Sequence, residues 1–228
     1  MINVSGRLVG IAVRGQAAPA QAQAATLIGG AGIAGDRHAD PHSPRQVLLA
    51  GTAVYRELGL APLALRENLL LDIDTSALAS GTLLRVGADA LLRVMFQCEA
   101  CGGLDRHQPG LSGRIGARRG ALARVVGGSD IRVGDQVSIL GQRLPAWPEE
   151  WPGRVRRVLD ALPPGQVIEY RDLARLAGLM SSYCRAFPAA IRRLGPDYAG
   201  KAVAAGSESG LPRWTGAGLF EDEGAASG

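Results

Sequence analysis

Thr82-Leu83-Leu84-Arg85-Val86-Gly87-Ala88-Asp89-Ala90-Leu91-Leu92-Arg93-Val94-Met95-Phe96 sets two short apolar runs on either side of a glycine-containing turn. Runs this short, rich in Leu and Val and bounded by turn residues, read as strands. The pattern recurs in both directions, at residues 6–13, 46–50, 69–73, 121–126 and 136–140. The density of turns between the runs predicts a barrel or a sandwich. Composition agrees: aromatics make up 4% of the 228 residues against 32 glycines and 13 prolines, so the core must be built from Val, Leu, Ile and Ala. Residues 52–60 have helical spacing that ends at Gly59, which predicts one helix crossing or plugging the sheet.

The pattern changes near residue 143. Leu144-Pro145-Ala146-Trp147-Pro148-Glu149-Glu150-Trp151-Pro152 carries three prolines, which fix φ and remove backbone donors, so a stiff extended connector is expected. Beyond it, Val155, Val158, Leu159 and Leu162 share one face of a helix, residues 170–177 make a second and residues 183–194 a third. This is the outline of a helix-turn-helix or winged-helix-like unit. The expected organisation is a β-rich barrel domain with few helices over 1–142, a linker over 143–152, a small α-rich domain over 153–214 and an acidic flexible tail over 215–228.

The formal net charge is +4, and Lys201 is the single lysine. An arginine bias suits planar recognition of phosphate or carboxylate, and a GC-rich genome produces it too. Residues 153–213 hold ten basic against five acidic groups, the footprint of a nucleic-acid binder, whereas the tail carries Glu221, Asp222 and Glu223. Cys98, Cys101 and Cys184 are an odd number, which argues against a disulfide framework. The longest charge-free stretch, residues 15–35, contains Pro19, three Gln and five Gly, too polar for a membrane span. A cytoplasmic protein with no membrane partner is expected.

Two constellations carry chemistry. Gly35-Asp36-Arg37-His38 joins a permissive backbone to an acid, a base and an imidazole, and reads either as a loop for an anionic or heterocyclic ligand or as a solvated turn. Cys98-Glu99-Ala100-Cys101-Gly102-Gly103 follows the apolar run ending at Phe96, so a cysteine here can leave a strand into a glycine turn and present its sulfur. Nearby Arg106 or His107 would favour the thiolate needed for nucleophilic or sulfur-transfer chemistry. Cys98 and Cys101 also have the spacing of half a zinc site, without an obvious second pair of ligands. Cys98 is the better candidate for a buried thiol.

These residues fall in an order that resembles MOSC domains, named for the C-terminal domain of molybdenum cofactor sulfurase. The resemblance runs through Gly35-Asp36-Arg37-His38, Arg45-Gln46-Val47-Leu48-Leu49, Arg66-Glu67-Asn68-Leu69, Leu83-Leu84-Arg85-Val86-Gly87, Cys98-Glu99-Ala100-Cys101, Ala123-Arg124-Val125-Val126 and Ile131-Arg132-Val133-Gly134-Asp135. It implies a β-barrel in which Cys101 carries sulfur as a persulfide or ligates molybdenum, with the molybdenum cofactor, a molybdopterin, as the ligand. Pyridoxal phosphate is not expected within this chain. Stand-alone bacterial members protect against N-hydroxylated purines. Gly35, Asp36, Arg37, His38, Arg45 and Asn68 become the candidate ligand-binding residues.

In the second half, Gly165-Gln166-Val167-Ile168-Glu169-Tyr170-Arg171-Asp172-Leu173-Ala174 and its flanks, over about residues 154–194, are similar to the DNA-binding core of O6-alkylguanine-DNA alkyltransferases and alkyltransferase-like proteins. The resemblance gives Tyr170 a role against the phosphate beside a flipped base and Arg185 the role of wedge in the vacated stack, with Arg171 beside them. Pro188 is expected to kink or restart the recognition helix. Where alkyltransferases hold a nucleophilic cysteine, this chain reads Ala199-Gly200-Lys201-Ala202-Val203, so alkyl transfer is not expected. Trp214 reads as core, and Tyr170, Arg171 and Arg185 have an alternative reading as a solvated face.

The combined expectation is a cysteine-based, sulfur- or molybdenum-linked barrel joined to a catalytically inactive module that binds duplex DNA bearing modified purines. A non-enzymatic damage sensor with the barrel as scaffold is one alternative. A sulfur or molybdopterin carrier that meets a sulfur donor or molybdoenzyme partner is another.

Overall fold

The computed structural model describes residues 5–15, 19–106 and 108–221. His107 and the end of the tail, with Asp222 and Glu223, lie outside the described residues. The chain divides into two compact units, Met1–Pro41 with Arg45–Trp147, and His42–Pro44 with Pro148–Gly228.

In the first unit the seven apolar runs become β1 (Ser5–Val13), β5 (Val47–Gly51), β6 (Leu69–Leu71), β7 (Thr82–Val86), β8 (Ala90–Gln97), β9 (Ala121–Gly127) and β11 (Gln136–Arg143). They pair in the order β11-β7-β8-β9-β5-β6-β1, and β1 pairs back onto β11, so seven strands close a barrel and no long edge is left open. β2 (Ala20–Ala22) hangs on β1. Interior side chains such as Leu8, Leu49, Leu71, Leu84, Leu92, Ala123 and Val137 fill the lumen, which explains a core built without large rings.

β5 and β6 are parallel, and a parallel pair needs a crossover. Helix α1 (Thr52–Leu58) supplies it and stops at Gly59, whose φ of 59° is the left-handed cap. A second apolar cluster, Ala50, Val54, Ala64, Leu65, Leu104, Leu111 and Ile115, packs α1 and α2 (Leu111–Ile115) against the outside of the sheet. β5 is therefore buried along its whole length, and Leu104 anchors the segment that follows Cys101.

A separate three-stranded sheet, β10 (Ser129–Arg132) with β3 (Ala24–Ile28) and β4 (Gly32–Ile33), has no counterpart in the apolar-run reading. Its strands are short and rich in Gly, Ala and polar residues, and it is set by pairing across more than a hundred positions, as in the 2.6 Å bond from Thr26 Oγ1 to Asp130 Oδ1. Gln46 then clips the following loop to the barrel, donating to Gly30 O at 2.6 Å and Asp40 O at 2.9 Å while accepting from Val125 N at 2.9 Å.

Gly120 opens β9 with φ 124°, and a Cβ there would lie 2.1 Å from Leu49 O. Gly120→Ala is expected to lower stability by about 2–3 kcal/mol, from strain plus forced separation of β5 and β9. A shift of the denaturant midpoint at unchanged slope checks it, and an unshifted midpoint refutes it.

The first half of the proline connector is tied into the barrel unit: Leu144 N donates to Gly81 O at 2.9 Å, Trp147 N to Ser80 Oγ at 2.7 Å, and Trp147 is buried. Its last residues open helix α3 (Trp151–Asp160), where Pro152 sits harmlessly in the first turn.

The second unit contains α3, β12 (Ile168–Glu169), α4 (Tyr170–Leu176), α5 (Phe187–Leu194) and β13 (Ala202–Val203). Val155, Val158, Leu159 and Leu162 are buried together with Leu173, Phe187, Ile191 and Trp214. The third helix expected over 183–194 is corrected: residues Ser181–Arg185 form a 3-10 turn, and α5 begins at Phe187 with Pro188 in its first turn. A proline cannot supply the donor that continues a helix but costs nothing at a helix start. Arg185 therefore stands on the turn and not on a recognition helix. β12 and β13 pair in parallel, so among the described residues this unit forms no antiparallel wing.

Candidate functional site: a cysteine among arginines

The Gly35 loop is built around its acid. Asp36 is 5% exposed, and its carboxylate accepts four hydrogen bonds: from Arg14 N (2.9 Å) and Asn68 Nδ2 (2.8 Å) on Oδ2, and from His38 N (2.8 Å) and His38 Nδ1 (2.9 Å) on Oδ1. Burial alone would raise its pKa, but the bonds from the His38 ring, His38 N and Arg14 N outweigh it and hold the carboxyl down at about 2. Asn68 is equally committed, accepting from Leu48 N at 3.0 Å and donating to Ala12 O at 3.2 Å as well as to Asp36. Asp36 and Asn68 thus tie β1, β5 and the loop together as positioning residues. Gly35 makes the turn at φ 76°, leaving Arg37 exposed and His38 half-buried beside it.

Cys98 follows directly on β8 with its N–H on Gly120 O at 2.8 Å, and the residue is 3% exposed. Burial pushes its thiol pKa up, against smaller opposing effects of Arg119 and Arg45. Cys101 stands differently. It is partly exposed, at the head of a turn closed by Leu104 N on Cys101 O at 2.9 Å. Arg119 Nη1 bridges Glu99 O at 2.7 Å and Cys101 Sγ at 3.2 Å. Burial disfavours the thiolate, but the Gly103 N–H, the Arg119 charge and hydrogen bond, and Arg45 more than offset it, so the pKa falls below that of an ordinary thiol. A Cβ at Gly103 would lie 3.4 Å from Sγ and 3.5 Å from Arg106 Nη2, so the glycine keeps the sulfur uncovered.

Further arginines converge here. Arg66 interacts electrostatically with Cys101 and with Arg37, Arg119 and Arg106; burial first, and then repulsion from those three guanidinium groups, lowers its pKa. Arg66 also has φ 60°, and Leu63 in the same loop has φ 62°, the two left-handed non-glycine residues among those described. Arg14 is 6% exposed, and its Nε and Nη2 are buried without a hydrogen-bond partner among the described residues, as is Nε of Arg119. The acid next to Arg66 does not answer these groups directly: Glu67 Oε2 takes the Tyr55 hydroxyl at 2.6 Å, and burial raises the pKa of Glu67.

The charge of Arg66 is thus felt by both the Arg37 loop and the Cys101 turn. The sequence singles out Arg37, Arg45 and Cys101 as candidates, and it assigns no role to Arg14, Arg66 or Arg119. Arg66 stands in the quoted Arg66-Glu67-Asn68 run, whereas nothing in spacing singles out Arg14 or Arg119.

In the second unit Tyr170 is half-buried, edge-on to Phe187 at 5.8 Å, while Arg171 and Arg185 are exposed. Cys184 Sγ donates to Tyr170 O at 3.4 Å, which ties the 3-10 turn to α4.

A closed seven-stranded barrel with a thiol at the exit of β8 is the class the fold and site define, and residues 45–138 match the MOSC domain, so the chain contains a MOSC domain. Among solved structures, the YUAD protein from Bacillus subtilis aligns with a TM-score of 0.50 at 16% identity, covering 60% of this chain and 97% of that one. A hypothetical protein aligns at 0.51 and 20% identity over 85% and 92%, and YiiM from Escherichia coli at 0.47 and 18% over 85% and 93%. At these identities the first two support the fold alone. No curated protein matches the chain in sequence. No helix among the described residues is long and apolar enough to cross a membrane.

Proposed function

We propose that the barrel unit acts through Cys101 as a sulfur carrier or molybdenum-cofactor-linked centre that detoxifies N-hydroxylated purines. The observation that carries this reading is Cys101, a partly exposed residue whose Sγ lies 3.2 Å from a buried guanidinium. The donor set fits a molybdopterin: a soft thiolate suits molybdenum, and the unpartnered N–H groups of Arg14 and Arg119 suit a phosphate. Cys101 would hold the metal, and Arg14, Arg37, Arg66 and Arg119 the anionic group. When bound, the cofactor would supply redox chemistry. The chain's own residues favour the thiolate through Arg119 and Gly103 and fix the Arg37 loop through Asp36.

Alkylation of the native protein followed by peptide mapping tests the thiol. Cys101 is expected to react at least about tenfold faster with iodoacetamide than buried Cys98, because only an exposed thiolate reacts. Equal protection of both from iodoacetamide would overturn the reading. Molybdenum and phosphate content, lost together in Cys101→Ser, separates cofactor holder from sulfur carrier.

For the second unit, the exposure of Arg171 and Arg185 beside Tyr170 favours duplex DNA as partner, in the manner of an alkyltransferase-like module without its nucleophile. Affinity for a duplex containing O6-alkylguanine is expected to fall steeply with salt and to drop about tenfold in Arg185→Ala. Absence of binding at low salt would leave a protein partner, such as a sulfur donor or molybdoenzyme, as the reading for this unit.

A further inference from the structure

Arg14, Arg37, Arg66, Arg106 and Arg119 put five guanidinium groups in the electrostatic neighbourhood of Cys101, directly or through Arg66. The carboxylates close to them are committed. Asp36 holds four donors, and Glu67 holds the Tyr55 hydroxyl. Two of the guanidinium groups are at least nine-tenths buried yet have N–H donors with no acceptor among the described residues, Nε and Nη2 on Arg14 and Nε on Arg119. A buried donor without an acceptor is costly, so such groups mark a place where a ligand supplies the acceptor. Arg66 adds a second signal. Its left-handed backbone carries strain that a glycine would lack, and strain of this kind persists where the side chain is needed.

Arginine forks match the oxygens of a tetrahedral oxyanion, and one of these forks, Arg119, meets the Cys101 sulfur at 3.2 Å. Resting on the reading of Cys101 as a sulfur carrier, we propose that the Arg14–Arg37–Arg66–Arg119 cluster binds a thiosulfonate-type dianion, of which thiosulfate is the simplest, and presents its outer sulfur to Cys101.

The step balances without an external oxidant or reductant. The Cys101 thiolate attacks the outer sulfur of thiosulfate and forms the Sγ–S bond. The sulfur–sulfur bond of the donor breaks, and its electron pair leaves on sulfite. One negative charge enters on the thiolate and remains on the terminal sulfur of the persulfide, while the two charges of thiosulfate depart with sulfite. The cradle holds the sulfonate oxygens throughout and neutralises charge as it builds on the leaving group.

The purified full-length chain, treated with thiosulfate, is expected to gain the mass of one sulfur atom on the Cys101 peptide, removable by cyanide as thiocyanate. Neutral iodoacetamide supplies the comparison, because it needs the thiolate but no anion site. The ratio of the thiosulfate rate to the iodoacetamide rate is expected to fall about tenfold in Arg66→Gly and in Arg14→Met, the loss of one charged hydrogen bond each. Glycine relaxes the backbone at position 66, so this variant folds even if Arg14→Met does not. Alkylation of Cys101 without persulfide formation would overturn the donor assignment and leave the reactive cysteine standing. Failure of both reactions would overturn the two readings together. Persulfide formation with an unchanged ratio in Arg66→Gly would overturn the cradle.

Discussion

Cys101→Ser is expected to reduce protection of cells against N-hydroxylated purines to the level of cells without the protein, while the purified variant unfolds at nearly the wild-type denaturant concentration. The hydroxyl is close in shape to the thiol and still accepts from Arg119, whose other bond, to Glu99 O at 2.7 Å, is untouched. The turn is held independently by Leu104, buried under α1 and α2. What disappears is the chemistry. A serine hydroxyl is un-ionised at neutral pH, is a hard ligand where molybdenum favours a soft one, and cannot store sulfane sulfur. Cys184→Ser, on the other unit, serves as the matched control and is expected to protect like wild type. Survival of cells carrying Cys101→Ser at wild-type levels would remove the sulfur from the mechanism.

Asp36→Ala is expected to cost about 3–5 kcal/mol, the largest single-residue loss of stability in the barrel unit. Removing the carboxylate strands the Arg14 and His38 N–H groups and one donor of Asn68, in a place where water has little access. The same bonds create a pH dependence. The folded-state pKa, about 2, lies below the reference value of 3.8. Protonation is therefore harder in the folded chain, and the contribution of Asp36 is present in full above that reference value and is lost as pH falls toward 2. Its size, from a shift of this order, is about 2 kcal/mol. Urea unfolding at a series of pH values should show wild type losing this increment on acidification and Asp36→Ala lacking that part of the slope. Parallel profiles would mean that the four bonds do not distinguish the charged acid.

The barrel's strands were legible because each is a local signal. Residues 82–86 and 90–96 need only a few apolar positions and the Gly87 turn to be recognised, and α1 announces its end with Gly59. β3, β4 and β10 were not legible, since Ala24–Ile28 and Gly32–Ile33 lack a strong apolar pattern and become strands by finding β10 far along the chain. The helix expected over 183–194 is interrupted for a local reason that was legible: Pro188 was expected to kink or restart it, and α5 starts with that proline in its first turn.

The thiol itself illustrates the division. From sequence alone follow the alternation of apolar runs and turns, the change of character near residue 143, and a cysteine placed in a glycine turn just past a strand, because each depends on neighbours along the chain. The partners of that cysteine come from closure of the barrel. Arg119 lies 18 positions away from it and is brought back by the β8–β9 pairing, while Arg14 leaves β1 and Arg66 enters β6, two strands joined by hydrogen bonds. An arginine carries no periodic signature of where its guanidinium will point. Only the tertiary structure decides which of them are buried, which find acceptors, and that Arg119 is the one brought against the sulfur.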